Sequence, residues 1–308
     1  MMAVKFVAEI SSNHNSDLDR CRAFIRMAKD VGCDAVKFQL FKIEFLFAPE
    51  VLEKRADLRA RKAWELPLEY LAPLAQYAHQ LDLEFSCTPF YLEAVDQLEP
   101  YVDFYKVASY ELLWHDLLRK CGGTGKPLVI STGMATLPEI DAAIRSIRGL
   151  ETRSLTVLQC TSAYPTPVSE ANLRAIDTMR AAFAEHMSWL DLSFGLSDHT
   201  VSPAVILKSV FRYDVSFIEF HFDLDGMGNE FDAGHCWLPE QIRPVIKIVR
   251  EAETVDGEGT KEPTPSELSD RDWRADPSDG LRPLMQIRHD FNPGAQGGDK
   301  AVEVNRGG

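Results

Sequence analysis

Short apolar runs rich in β-branched and aromatic residues alternate with helix-periodic stretches eight times along this chain. The runs are KFVAEIS, DAVKFQLF, LEFSCTP, DFYKVAS, PLVISTG, LTVLQCT, SFGLSDH and SFIEFHF. Each has the length of a strand, and near-continuous apolarity is what a strand covered on both faces requires. LDRCRAFIRMAKDVG, LEYLAPLAQYAHQLD, YLEAVDQLEP, LPEIDAAIRSIRGL, SEANLRAIDTMRAAFAEH, PAVILKSVFRY and LPEQIRPVIKIVREAETV carry apolar residues three and four apart, the spacing of an amphipathic helix. Eight βα repeats specify an α/β fold, a parallel (β/α)8 TIM barrel rather than an open sheet, although periodicity alone does not prove closure.

The stretch from Ser193 to Phe222 is the most informative βα pair. Its two strands each run toward a histidine, with a helix between them. Strand alternation puts Gly195, Ser197 and His199 on one face, and Glu219 and His221 on one face of the next strand. Both histidines then stand at carboxyl ends of neighbouring parallel strands, where α/β proteins build their sites. Two stretches break the regular beat. A charged, helix-like insertion from Phe41 to Leu66, with Arg55, Arg59, Arg61 and Lys62, follows the second strand and is placed to act as a lid. From about Asp256 the periodicity is lost. The pattern predicts a barrel over residues 1–255 and an extension over 256–308, in which PTPSELSDRDWRADPSDGLRP packs along the barrel through Trp273 and residues 292–308 are disordered.

With 308 residues and 45% hydrophobic content, the chain can bury a full barrel core. No apolar run is long enough to span a membrane, and the first residues lack the apolar centre and cleavage site of a signal peptide, so a cytoplasmic protein is expected. Six cysteines without paired short spacing argue against a zinc knuckle or a disulfide framework. A net charge of −14 repels nucleic acid and anionic membranes. It would equally repel an anionic small substrate unless local positive charge overrides it.

That makes the polar residues at the strand ends significant. Glu9 closes the first strand, Lys37 and Gln39 the second, Thr88 the third, Lys106 and Ser109 the fourth, Thr132 the fifth, and Thr161 and Ser162 the sixth. Burying an unpaired charge costs several kcal/mol, so the lysines need partners. Either they pair with Glu9 and Glu219 as structural ion pairs, or they converge with the hydroxyls on a phosphate or carboxylate. His199 and His221 suit an open divalent-metal site, completed by Asp232 or waters. His14 and His235 are candidates for the mouth, whereas His79, His115, His186 and His289 read as surface or helix residues. Nothing resembles a glycine-rich nucleotide loop or a nucleophile elbow. Lys106 is also placed for a Schiff base.

The segments AEISSNHN, AVKFQ, SCTPF, YKVASYE, GKPLVISTGMATLPEI, CTSAYPTP, GLSDHT and IEFHF, in this order, resemble the signature segments of the sialic acid synthase (N-acetylneuraminate synthase) family. Members of that family condense phosphoenolpyruvate with an N-acetylated amino sugar and release phosphate. The resemblance implies a barrel and a divalent metal, manganese or magnesium, held by His199 and His221, with Glu9 as acid/base. It also implies phosphoenolpyruvate binding by Lys37, Thr88, Lys106, Ser109, Ser162 and Ser197, and acceptor binding by Glu111, Tyr164 and Asp232. Gln39, beside Lys37, joins the substrate-binding set. The chain departs from the family where glycine is usual at Ser11, Ser16 and Tyr110, where a basic residue is usual at Phe220, and where GMGNEFDAGHCWLP replaces a Pro-Gly-Pro-Asp pattern. It also ends without the antifreeze-like domain that in many members covers the partner subunit's active site. A homodimer is the assembly the resemblance implies, and the expected cover is the insertion or the segment from Asp223 to Trp237. A different aldehyde acceptor, or an inactive barrel serving polysaccharide synthesis, are the competing functions.

Overall fold

The computed structural model describes residues 3–291, so the expectation for residues 292–308 lies outside the described residues. By packing, the chain divides into two compact units, Met1–Val255 and Asp256–Gly308. In the first, eight parallel strands close in sequence order into a barrel. They are β1 (Lys5–Glu9), β2 (Ala35–Leu40), β3 (Glu84–Pro89), β4 (Phe104–Val107), β5 (Leu128–Ser131), β6 (Ser154–Cys160), β7 (Asp191–Asp198) and β8 (Phe217–His221). The β8 to β1 register, Lys5↔Phe217 through Glu9↔His221, closes the ring and supplies what periodicity did not.

The outer layer consists of α1 (Leu18–Val31), α2 (Leu71–Gln80), α3 (Leu92–Leu98), α4 (His115–Gly123), α5 (Leu137–Ser146), α6 (Arg174–Ala182), α7 (Pro203–Tyr213) and α8 (Pro239–Ala252). Helix α1 shows why these segments fold locally. The Asp17 side chain accepts from the Asp19 and Arg20 amides, while Cys21, Phe24, Ile25, Ala28 and Val31 form the buried stripe. Helix α6 is shorter than its periodicity predicted, because the chain first makes a 3-10 turn at Val168–Glu170 and takes a left-handed residue at Asn172. The Phe41 to Leu66 insertion is a string of short helices, Ile43–Leu46, Pro49–Lys54 and Ala56–Ala60, followed by a 3-10 turn at Arg61–Trp64. All six cysteines are buried and free. His186 is not a surface residue: it is buried and its Nε2 lies 2.7 Å from Asp141. No helix among the described residues is long and apolar enough to cross a membrane.

The barrel interior is built in layers. Outward-facing strand residues such as Phe6, Val36, Phe85 and Tyr105 join the main core beneath the helices. Inside, Val7, Ala35, Phe104, Val129, Leu158 and Phe217 form a separate apolar floor. Gly195 completes it, because a Cβ there would stand 2.4 Å from the Phe217 carbonyl oxygen and 2.5 Å from Leu158 Cδ2. Two residues further along the same strands the interior becomes polar, with Glu9, Lys37, Lys106, Ser131, Cys160, Ser197 and Glu219.

The second unit has a 3-10 segment at Pro265–Trp273, entered by a Thr264/Glu267 capping box, and a short helix at Met285–Arg288. Trp273 and Phe291 pack edge to face within it, 6.0 Å between centroids.

Candidate active site

Above the polar layer, at the carboxyl ends of the strands, lies a cavity of about 770 Å³. Its base is an ion-pair network. Lys37 Nζ contacts Glu9, lies 3.8 Å from Glu219 and donates to Thr88 Oγ1 at 2.9 Å. Lys106 Nζ lies 3.3 Å from Glu219, which also accepts from Ser197 Oγ at 3.2 Å. Gln39 Nε2 donates to Glu9 Oε1 at 2.7 Å. The pairing of both lysines with Glu9 and Glu219, one of the two accounts open from sequence, is therefore present in the fold.

Pairing does not make the layer inert. Burial raises Glu9 to about 7, against the opposing pull of Lys37. Burial also works against the charge on Glu219, but Lys106 and Lys37 outweigh it and hold that carboxyl low. When Glu9 carries a proton, two lysine cations face one carboxylate anion, and the layer has a surplus positive charge available to an anionic ligand. Ser131 Oγ and Ser162 Oγ are buried without hydrogen-bond partners, which is unusual unless a ligand or water completes them.

The rim carries three imidazoles. His199, His221 and His235 have ring centroids 5.2 Å (His199 to His221), 4.5 Å (His221 to His235) and 6.2 Å (His199 to His235) apart. Tyr164 packs against all three, 4.3 Å from His199. His199 Nδ1 lies 2.9 Å from the Thr161 carbonyl. A carbonyl only accepts, so Nδ1 carries the hydrogen and, in the neutral ring, Nε2 holds the lone pair; burial opposes a charge on His199, but the Cys160 thiol and the Thr161 carbonyl beside Nδ1 outweigh it and push the ring up. Burial pushes His221 down to about 4, which keeps it neutral and able to ligate.

Of the residues singled out from sequence, Glu9, Lys37, Gln39, Lys106, Ser109, Glu111, Tyr164, Ser197, His199 and His221 all line this one cavity. Ser109 and Glu111 do so because β4 ends at Val107 and a 3-10 turn, Ser109–Glu111, folds them over the mouth. Burial raises Glu111 to about 7. Thr88 stands just behind, reached through Lys37. Ser162 lines a neighbouring cavity of about 670 Å³ shared with Thr132 and Thr161. Two expectations are corrected. Asp232 is exposed in the 3-10 turn Phe231–Ala233 and does not line the cavity; Glu230, two residues earlier, does. His14 is buried beside Phe38, where burial lowers it to about 4, and it is not part of the mouth.

The departures from the family pattern are structurally interpretable. Ser11 and Ser16 have φ of 50° and 52°, the left-handed region that favours glycine. Each nevertheless uses its hydroxyl, Ser11 donating to Glu230 at 2.7 Å and Ser16 to the Ala63 carbonyl of the insertion at 2.7 Å. Tyr110 is 63% exposed at the mouth. Phe220 faces outward into the core beside Phe222 and Trp237, where no charge is needed. In the insertion, Arg55 is neutralised by Asp57, Lys62 by Glu44, and Arg59 donates to the Leu52 carbonyl. Of its flagged basic residues only Arg61, stacked on Trp64, lines the cavity. Sequence reasoning missed Glu230, Ser131 and Cys160. Glu230 lies in a loop, where no periodicity indicates which way a side chain points.

Residues 24–261 match the NeuB family. The N,N'-diacetyllegionaminic acid synthase of Legionella pneumophila is 32% identical, over 96% of this chain and 83% of its own. The N-acetylneuraminate-9-phosphate synthase of Homo sapiens is 30% identical, over 85% of this chain and 74% of its own. The crystal structure of N-acetylneuraminic acid synthetase from Leptospira borgpetersenii in complex with citrate superimposes with a TM-score of 0.73 at 25% identity, covering 87% of this chain and 90% of that one. The chain belongs to the NeuB family and is a carbon–carbon bond-forming transferase of the sialic acid synthase type.

Proposed function

We propose that this enzyme joins phosphoenolpyruvate to the aldehyde of an N-acetylated amino sugar, giving a nonulosonic acid and inorganic phosphate. The observation that carries this reading is the vertical arrangement of one cavity: buried lysines with the unpartnered Ser131 hydroxyl at its base, three imidazoles at its rim. The base suits a small polyanion and the rim suits a divalent cation. Lys37, Lys106, Thr88, Ser109, Ser162 and Ser197 hold the phosphate and carboxylate of phosphoenolpyruvate. Glu111 and Tyr164, with Arg61 from the insertion, surround the acceptor. Cytoplasmic sugar precursors are the matching pool.

The donors also fit a metal. His199 presents Nε2 to the cavity, His221 is kept neutral, and both are fixed by strands. Imidazole ligation suits a transition-metal dication better than magnesium. When bound, the cation supplies Lewis-acid polarisation of the acceptor carbonyl. The methylene carbon of phosphoenolpyruvate attacks that carbonyl carbon, its double-bond pair forming the new bond and leaving a cationic C2. The acceptor oxygen takes up a proton as this bond forms. Water adds to C2, and the C2–O bond to phosphate then breaks as the ketone forms, the phosphate leaving with one of the water's protons while the other replaces the proton that the acceptor oxygen took. Glu9, near neutrality at about 7 and oriented by Gln39, is suited to carry that proton.

The test is phosphate release from phosphoenolpyruvate with manganese across a panel of N-acetylated amino sugars and plain aldoses. Release that requires an N-acetylated acceptor supports the proposal. Release only with plain aldoses would assign a different acceptor, and no release with any acceptor would overturn the reading.

A further inference from the structure

Two residues at the chain's departures from its family, Ser11 and Glu230, converge on one ring nitrogen. Ser11 Oγ donates to Glu230 Oε1 at 2.7 Å. The other carboxylate oxygen, Oε2, faces His221 Nδ1 at 3.4 Å and His235 Nε2 at 3.8 Å. That oxygen and His221 Nδ1 are both buried and otherwise unpartnered. The ring lines the cavity, so Nε2 is the nitrogen left to face it.

The loop bearing Glu230 is built to hold this carboxylate. The Glu230 amide donates to Asn13 Oδ1 at 2.8 Å, and Asn13 Nδ2 donates to the Phe222 carbonyl at 3.0 Å. A Cβ on Gly228 would fall 2.5 Å from Asn13, so the close approach of loop and β1 turn needs glycine there. The neck is closed by the Asp223 amide on the Trp237 carbonyl at 2.9 Å and the Trp237 amide on the His221 carbonyl at 2.8 Å. Arg20 pairs with Asp223 and Asp225, pinning the loop from α1.

We propose that Glu230, held by Ser11, is a positioning residue that keeps the hydrogen of His221 on Nδ1 and so presents the Nε2 lone pair to the metal. A metal-ligating imidazole characteristically gives its second N–H to a carboxylate, which fixes ring orientation and raises donor strength. His235 flanks the same oxygen and holds the carboxylate on the far side. The inference rests on the proposed role of His221 as a ligand. It goes beyond that role in giving a function to Glu230 and to the Ser11 hydroxyl, to which the family resemblance assigned none.

Glu230→Gln keeps the shape and removes the charge. In the metal-free protein, nitrogen-15 NMR of the imidazoles is expected to show His221 as the Nδ1–H tautomer in the wild type and a mixture or the opposite tautomer in Glu230→Gln. Manganese binding by calorimetry, without substrates, is expected to weaken 10- to 100-fold in Glu230→Gln, less in Ser11→Ala, and to recover in part in Glu230→Asp. Unfolding curves confirm that each variant is folded. An unchanged tautomer together with unchanged affinity would overturn the proposal. So would a cobalt(II) spectrum showing that Glu230→Gln loses one directly bound ligand. Wild-type protein that binds no manganese would instead overturn the metal-dependent function, and the tautomer measurement would still decide the role of Glu230.

Discussion

Lys106 Nζ lies 3.3 Å from Glu219 Oε1 at the base of the cavity, so the fold itself supplies a counter-charge to this buried cation. Lys106→Met is expected to weaken phosphoenolpyruvate binding by about 1.5–3 kcal/mol, the range of a charge-assisted contact, with a smaller effect on acceptor KM. Equilibrium binding and steady-state kinetics check it. Burial lowers Lys106, a condition that also favours Schiff-base chemistry. Borohydride with a keto acid should nonetheless trap nothing, and a covalent adduct on Lys106 would replace the synthase reading with an aldolase one.

Dialysis against a chelator should abolish phosphate release, and manganese should restore it. His199→Ala, which removes a strand-borne Nε2 donor, is expected to resist restoration while unfolding as cooperatively as the wild type. Full activity after exhaustive chelation would remove the metal from the mechanism.

The two segments expected to cover the mouth should differ in mobility. The loop from Asp223 to Trp237 is held by Arg20, Asn13 and the Phe222 to Trp237 bridge, whereas the insertion is a run of short helices with few buried residues. Hydrogen exchange should be fast in the Phe41 to Leu66 insertion and slow down when phosphoenolpyruvate, metal and acceptor are all present, with little change at Asp223 to Trp237. Identical exchange in the insertion with and without substrates would show that it is no lid.

Burial lowers His14 from 6.5 to about 4. The unfolded chain therefore binds a proton at this position between those values while the folded chain does not. Stability is complete above pH 6.5, falls as pH drops toward 4 by about 3 kcal/mol, and levels off below that. Chemical denaturation across this window should show a shallower pH slope in His14→Gln than in wild type; parallel slopes would contradict the assignment.

Gly195→Ala forces a methyl group against Phe217 and Leu158 in the barrel floor. Overpacking of this kind costs about 1–3 kcal/mol. A denaturation midpoint at or above that of the wild type would show that the floor is looser than its geometry.

The sequence by itself determined the eight βα units, because apolar strands and amphipathic helices have one periodicity each and leave few ways to bury their faces, whereas closure of the ring was decided by the β8 to β1 pairing. It also placed Glu9, Lys37, Lys106, Ser197, His199 and His221 on the interior, since strand alternation is a rule of covalent geometry. The loops were a different matter. Glu230 rather than Asp232 turns toward the histidines because Asn13 and the Phe222 to Trp237 pairing set the loop's path, and those partners are more than 200 residues apart along the chain for the Asn13 contact. The tertiary structure likewise left only Arg61, among the flagged basic residues of the insertion, on the cavity wall, because the others found partners within the insertion itself. Local periodicity fixes which face a strand residue takes. Only long-range packing decides which way an irregular segment points.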